Sequence, residues 1–201
     1  MGVIVVPFRG TNGKRRLTEI SGEAHDRVVL AMLADVLAAT TAVARTVVVT
    51  SDPGGLRLAR AAGAEVVADP GGGQGAAVAA ALDTLPADET LVVNADVPCV
   101  APDDLRALGA ATPAGGIALV PSPDGRTNAL GLATPLLFRP LYGPESAARF
   151  RAAAQELGVA STVAAIPNLE HDVDTRADLD RIQARAGRHT QSVLDELQVL
   201  R

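Results

Sequence analysis

Short runs rich in β-branched residues divide the first half of this chain. They are Gly2–Pro7 (GVIVVP), Arg45–Thr50 (RTVVVT), Glu65–Ala68 (EVVA) and Thr90–Asn94 (TLVVN). Such runs lack polar alternation, which predicts strands covered on both faces. Between them the period changes. In Ser21–Thr41, residues Val28, Val29, Met32, Leu33, Val36 and Leu37 recur at helical spacing. Leu56–Ala62 reads as a short helix closed by Gly63, and Ala76–Leu85 as an Ala-rich helix. Pro102 before Asp103 and Asp104 marks another helix start.

The second half is less regular. Ile117–Pro121, Asn128–Ala133 and Ser161–Ile166 read as strands, and His171–Asp174 as a short extended segment. Helices are predicted from Gly143-Pro144-Glu145-Ser146 to about Leu157, from Arg176 to about Ala186 behind a Thr175 cap, and over Gln191–Leu200. Repeated βα units predict an α/β fold of Rossmann-like type, with a mostly parallel central sheet and helices on both faces. No linker or internal repeat interrupts 1–201, which reads as a single domain.

Composition narrows the function classes. Apolar residues make up 48% of the 201, enough for a sizeable core. Aromatics are only 2%, so no stacking platform for single-stranded nucleic acid is expected. A net charge of −5 without a basic face argues against a duplex binder. One cysteine, Cys99, fits a reducing compartment and reads as a small core residue. No run is long enough to span a membrane and no signal-peptide pattern opens the chain, so a cytoplasmic protein is expected. His25, His171 and His189 are scattered and read as surface residues.

In open α/β sheets, ligands sit beyond the carboxyl ends of the strands. The loops after the first, third and fourth strands are therefore predicted to face one crevice. The first carries Arg9, Lys14, Arg15 and Arg16, suited to a triphosphate or to a merely solvated basic loop. Its spacing rules out a P-loop. The second carries Gly71-Gly72-Gly73-Gln74-Gly75-Ala76, a loose match to the dinucleotide fingerprint in the wrong place. Close backbone approach to a base or ribose is the better reading of these glycines; plain loop flexibility is the alternative. The third carries Asp96, either a metal ligand or a turn or N-cap residue. Asp172 and Asp174 are two apart, which puts both carboxylates on one face of an extended segment. That pairing calls for a shared cation, unless Asp174 caps the next helix. Mg²⁺ suits carboxylate oxygens. Thr127-Asn128 and a helix opening at Ser146 can meet an anion through hydroxyls and free N–H groups, or serve only as a turn and a cap.

The ordered set VIVVPFRGTNGKRRL, LVVNADVPCVAPDDL, TNALGL, YGPESAARF and DVDTRADLD is similar to the guanylyltransferases of coenzyme F420 biosynthesis. These belong to the nucleotidyltransferases of GT-A-like fold. The resemblance covers nearly the whole chain. It implies GMP transfer from GTP to a phosphorylated three-carbon acid, with pyrophosphate released. Phosphoenolpyruvate is the first choice, 2-phospho-L-lactate the second, and 3-phosphoglycerate a further one. Asp96, Asp172 and Asp174 would hold Mg²⁺. Thr127, Asn128, Gly143 and Ser146 would hold the acid. Lys14, Arg16 and Gly73-Gln74-Gly75 would meet GTP, with Lys14, Arg9 and Asp96 at the reacting phosphates. The chain departs from the family at Gly73-Gln74-Gly75, where Gly-Leu-Asn is common, and at Arg126, where Gly is frequent. The alternatives are a molybdopterin or sugar-phosphate nucleotidyltransferase, or a non-catalytic nucleotide-binding regulator. A homodimer is only the default among soluble oligomers.

Overall fold

A computed structural model describes residues 2–11, 17, 20, 22–86 and 88–199, with side chains through 197. In chain order the elements are β1 Val3–Pro7, α1 Gly22–Thr41, β2 Arg45–Val49, α2 Pro53–Ala61, β3 Glu65–Val67, α3 Gln74–Leu82, β4 Thr90–Val93, α4 Pro102–Ala111, β5 Ile117–Pro121, β6 Thr127–Leu132, α5 Ser146–Glu156, β7 Ser161–Val163, α6 Pro167–Glu170, α7 Arg176–Ile182 and α8 Arg188–Val199.

The strands form one sheet in the order β3-β2-β1-β4-β6-β5-β7. Strand β6 is antiparallel to both β4 and β5, and every other pairing is parallel. The α/β reading with a mostly parallel sheet is borne out. Period-two alternation sends Ile4, Val6, Val48, Leu91 and Val93 to one face, under residues of α1, α4, α7 and α8. Val3, Val5, Val47, Val49 and Val92 point to the other, under α3 and α5. Both faces are therefore buried, which is why these strands read as unbroken apolar runs.

Several boundaries differ from expectation, each for a local reason. Helix α2 begins at Pro53, not Leu56, because Asp52 accepts from Gly55 N at 2.8 Å and caps it. Gly54 and Gly55 sit inside its first turn because a Cβ there would lie 2.9 Å from Leu30 or 2.6 Å from Phe8. Helix α8 begins at Arg188, ahead of Gln191. Its cap comes from another helix: buried Asp35 of α1 accepts from His189 N and Thr190 N, each at 2.9 Å. Helix α7 stops at Ile182, and the expected strand over 161–166 gives way at Pro167 to α6. His25, His171 and His189 are half-buried. Cys99 is buried as expected, and burial pushes its thiol up. No described helix is long and apolar enough to cross a membrane.

Candidate active site

Strands β1 and β4 lie side by side at the centre of the sheet. The chain leaves β1 through Phe8, Arg9 and Gly10, and leaves β4 through Asn94, Ala95 and Asp96. Reversed β6 begins beside the end of β4. Asn94 N donates to Asn128 O at 3.0 Å, so Thr127 and Asn128 reach the same end of the sheet. These residues line a cleft of about 240 Å³, together with Gln74, Arg126, Tyr142, Gly143, Ser146, Asp172 and Asp174.

Carboxylate oxygens of Asp96, Asp172 and Asp174 lie within 4.8 Å of one another, and all three residues are half-buried. Val173 N donates to the carbonyl of Asp96 at 3.0 Å, which docks the Asp172–Asp174 segment onto the loop after β4. Other residues form the capping boxes of the two helices that follow these aspartates. Thr175 caps α7 in a reciprocal box with Asp178, whose Oδ2 accepts from Thr175 N at 2.8 Å and Asp174 N at 3.2 Å. Burial pushes the Asp178 carboxyl up, but hydrogen bonds from Thr175 and Asp174 and the charge of Arg181 outweigh it and leave it below the usual carboxylate range. The Ncap position of α4 is Ala101, with Asp104 accepting from its N–H at 2.8 Å, so the helix that follows Asp96 is capped by another carboxylate. Two like charges about 5 Å apart repel by about 3 kcal/mol at an effective dielectric of 20. A hard oxygen cluster of this kind suits Mg²⁺ or Mn²⁺.

Across the cleft, Ser146 Oγ donates to Thr127 Oγ1 at 3.1 Å. The expectation of free N–H groups at the start of α5 is corrected: Ser146 N donates to Gly143 O and Ala147 N to Gly125 O, both at 3.2 Å. Gly143 has φ +120, a conformation that favours glycine, and Arg149 donates to the neighbouring Tyr142 O at 3.1 Å. Tyr142 packs edge-on against Phe150 at 5.3 Å, and burial pushes its phenol well up. Among the described residues, two guanidinium groups line the cleft: exposed Arg9, and Arg126, which also pairs with Asp124 at 3.3 Å.

The glycine loop is more constrained than its flexibility suggests. Gly71, Gly72 and Gly73 all have positive φ, between +79 and +97, and Gly73 is the Ncap of α3. Helix α3 therefore starts at Gln74, two residues early, and only Gln74 of this loop lines the cleft. Gly75 faces Pro140, with a virtual Cβ 2.8 Å from Pro140 Cβ, so packing rather than ligand approach requires its glycine. Lys14, Arg15 and Arg16 lie outside the described residues. Asn94 went unread as a site residue. Its Oδ1 accepts from Gln74 Nε2 at 2.6 Å, and no local spacing signals that contact.

Residues 11–172 match the model of the MobA-like NTP transferase domain. The chain belongs to this family. It is 36% identical to the phosphoenolpyruvate guanylyltransferase of Nocardia farcinica, with 96% of this chain and 90% of that protein covered. It is 38% identical to the enzyme of the same name from Conexibacter woesei, covering 83% and 82%. Among solved structures, a Methanothermobacter nucleotidyl transferase aligns with a TM-score of 0.69 at 19% identity over 98% of this chain and 99% of that one. The 2-C-methyl-D-erythritol 4-phosphate cytidylyltransferase of Thermus thermophilus aligns at 0.60 and 18%, covering 90% and 96%. These structures share the GT-A-like fold. The resemblance carried by the ordered motifs is borne out, and nucleotidyl transfer is the activity class of this protein.

Proposed function

We propose that this protein transfers GMP from GTP to phosphoenolpyruvate and releases pyrophosphate, in coenzyme F420 biosynthesis, with Mg²⁺ held by Asp96, Asp172 and Asp174. The observation that carries this reading is the convergence of those three carboxylates in a cleft of a chain 36% identical to a phosphoenolpyruvate guanylyltransferase. A phosphate oxygen of the acid attacks the α-phosphorus of GTP. The new P–O bond forms as the bond to the β-phosphate oxygen breaks, and pyrophosphate leaves. A divalent cation in the cluster supplies charge neutralisation for the triphosphate and the leaving group.

The chain's own residues position and neutralise. No described histidine lines the cleft, and none is required: a phosphomonoester has a second pKa of about 6, so its nucleophilic oxygen is already ionised at neutral pH. Thr127 and Ser146 present a hydroxyl to the acid, beside Asn128 and Gly143. Arg9 and Arg126 balance charge, with Lys14 and Arg16 of the basic loop assigned to the triphosphate. Gln74 meets the base. Fixing two anions against one another in this geometry is the main catalytic contribution.

The test is mass spectrometry of products from GTP, Mg²⁺ and each of phosphoenolpyruvate, 2-phospho-L-lactate and 3-phosphoglycerate, with pyrophosphate measured in parallel. A guanylyl diphosphate ester from phosphoenolpyruvate supports the reading. Turnover confined to another acid or another nucleotide replaces it, and binding without pyrophosphate release from any acceptor makes the protein a regulator.

A further inference from the structure

Three side-chain amides form a chain across the floor of the cleft, from the first residue of α3 to the carboxylate cluster. Asn128 Nδ2 donates to Asp172 Oδ1 at 3.2 Å and to the carbonyl of Glu170 at 3.1 Å. Both partners only accept, so the orientation of the Asn128 amide is fixed and its Oδ1 faces Asn94. Asn94 Nδ2 lies 3.5 Å from that oxygen, the longest link, and 3.3 Å from the carbonyl of Thr127, a second obligate acceptor. Asn94 Oδ1 is thereby turned to Gln74 Nε2 at 2.6 Å. Each amide has one compatible orientation, set from the carboxylate outward. Asn128 is buried at 1% exposure, where an amide that only filled space would leave polar atoms to be satisfied.

We propose that Asn128 and Asn94 are positioning residues: they hold the Asp172 carboxylate toward Asp96 and Asp174 and tie it to Gln74 on the nucleotide side. This inference rests on the metal reading above and reassigns Asn128 from contact with the acid to control of a metal ligand. A ligating carboxylate left without its orienting donor samples other rotamers, and the cation then has to select the productive one.

The test measures Mn²⁺ binding to nucleotide-free protein by electron paramagnetic resonance of the free ion. Asn128→Ala weakens binding about 10-fold in the wild-type background. In an Asp172→Asn background the same substitution adds no further loss, because the residue acts through Asp172. Wild-type affinity in folded Asn128→Ala overturns the proposal. So does an equal loss in both backgrounds, the mark of a merely structural effect. Should Asn128→Ala fail to fold, Asn94→Ala at its half-buried position carries the test, with a loss of more than about twofold expected and unchanged affinity overturning it. Wild-type protein that binds no Mn²⁺ sinks the metal reading and this inference together. Wild-type binding with unaffected variants sinks this inference alone.

Discussion

The Ser146 hydroxyl donates to the Thr127 hydroxyl at 3.1 Å, joining the first residue of α5 to the first residue of β6 where neither side chain is open to bulk solvent. A hydroxyl has one proton to give. One contact between two hydroxyls uses one of their two protons, and the other is left to donate to an anionic acid in the cleft, which both residues line. Thr127→Val is expected to raise the KM for the acid by about 10-fold or more, the loss of one hydrogen bond to a charged group. Ser146→Ala should raise it as well, and both should leave the KM for GTP nearly unchanged. Steady-state kinetics with each substrate varied separately checks this. A shift confined to GTP moves the pair to the nucleotide side.

Metal dependence has a signature in stability as well as in rate. Carboxylate oxygens of Asp96, Asp172 and Asp174 lie within 4.8 Å of one another, so binding of Mg²⁺ to the folded state is expected to raise the melting temperature of the wild-type protein, and chelation to reverse the rise. Asp96→Asn removes one of the three carboxylates. It should lower turnover by about 10²-fold or more and shrink the Mg²⁺-induced rise. Calorimetry with and without EDTA, alongside the pyrophosphate assay, reads both. Near-wild-type turnover of Asp96→Asn at saturating Mg²⁺ excludes the role.

Much of this site was legible because its residues announce themselves locally. The i, i+2 spacing of Asp172 and Asp174 put both carboxylates on one side of an extended segment, and the resemblance placed them with Asp96; no strand carries them there, and the contact that does, Val173 N on the Asp96 carbonyl, spans most of the chain. What was illegible depends on partners distant in sequence. Asn94 ends a strand and looks inert until Asn128, 34 positions away, is placed beside it. The start of α8 could not be found because its cap, Asp35, belongs to α1. The sequence pattern begins α2 at Leu56, yet Pro53, Gly54 and Gly55 form its first turn, where Leu30 and Phe8 leave no room for a Cβ on either glycine.

That remote cap makes its own prediction. The Asp35 carboxylate is buried and satisfies two N–H groups of α8, and a Cβ at Gly187 would run into it. Asp35→Ala leaves both donors without their acceptor, at an expected cost of about 2 kcal/mol or more. For a chain of this length that lowers the melting temperature by about 4–8 °C. Gly187→Ala should destabilise in the same direction by pushing the carboxylate off its donors. Neither residue lines the cleft, so KM values at 25 °C should stay near wild type. An unchanged melting temperature for Asp35→Ala means solvent replaces the cap.

The first turn of α3 separates base recognition from packing. Gln74 lines the cleft, and its Nε2 is committed to Asn94 Oδ1 at 2.6 Å. That contact holds the amide in one orientation and leaves Oε1 as an acceptor. An acceptor suits the N1–H of guanine, whereas adenine carries an unprotonated N1 at the same place. Gln74→Leu is therefore expected to reduce the ratio of kcat/KM for GTP over ATP by about 10-fold, the scale of one hydrogen bond. Gly75 behaves differently. A Cβ there meets the Pro140 side chain at 2.8 Å and its backbone at 3.1 Å, on a side of the helix away from the cleft. Gly75→Ala should cost about 1–3 kcal/mol of stability by overpacking and leave the GTP-to-ATP ratio intact. The two variants thus divide one helical turn into a recognition residue and a packing residue. Melting curves and competition assays with both nucleotides read the division. Loss of base preference in Gly75→Ala, with Gln74→Leu unaffected, would move guanine recognition from the Gln74 amide to the backbone of the loop.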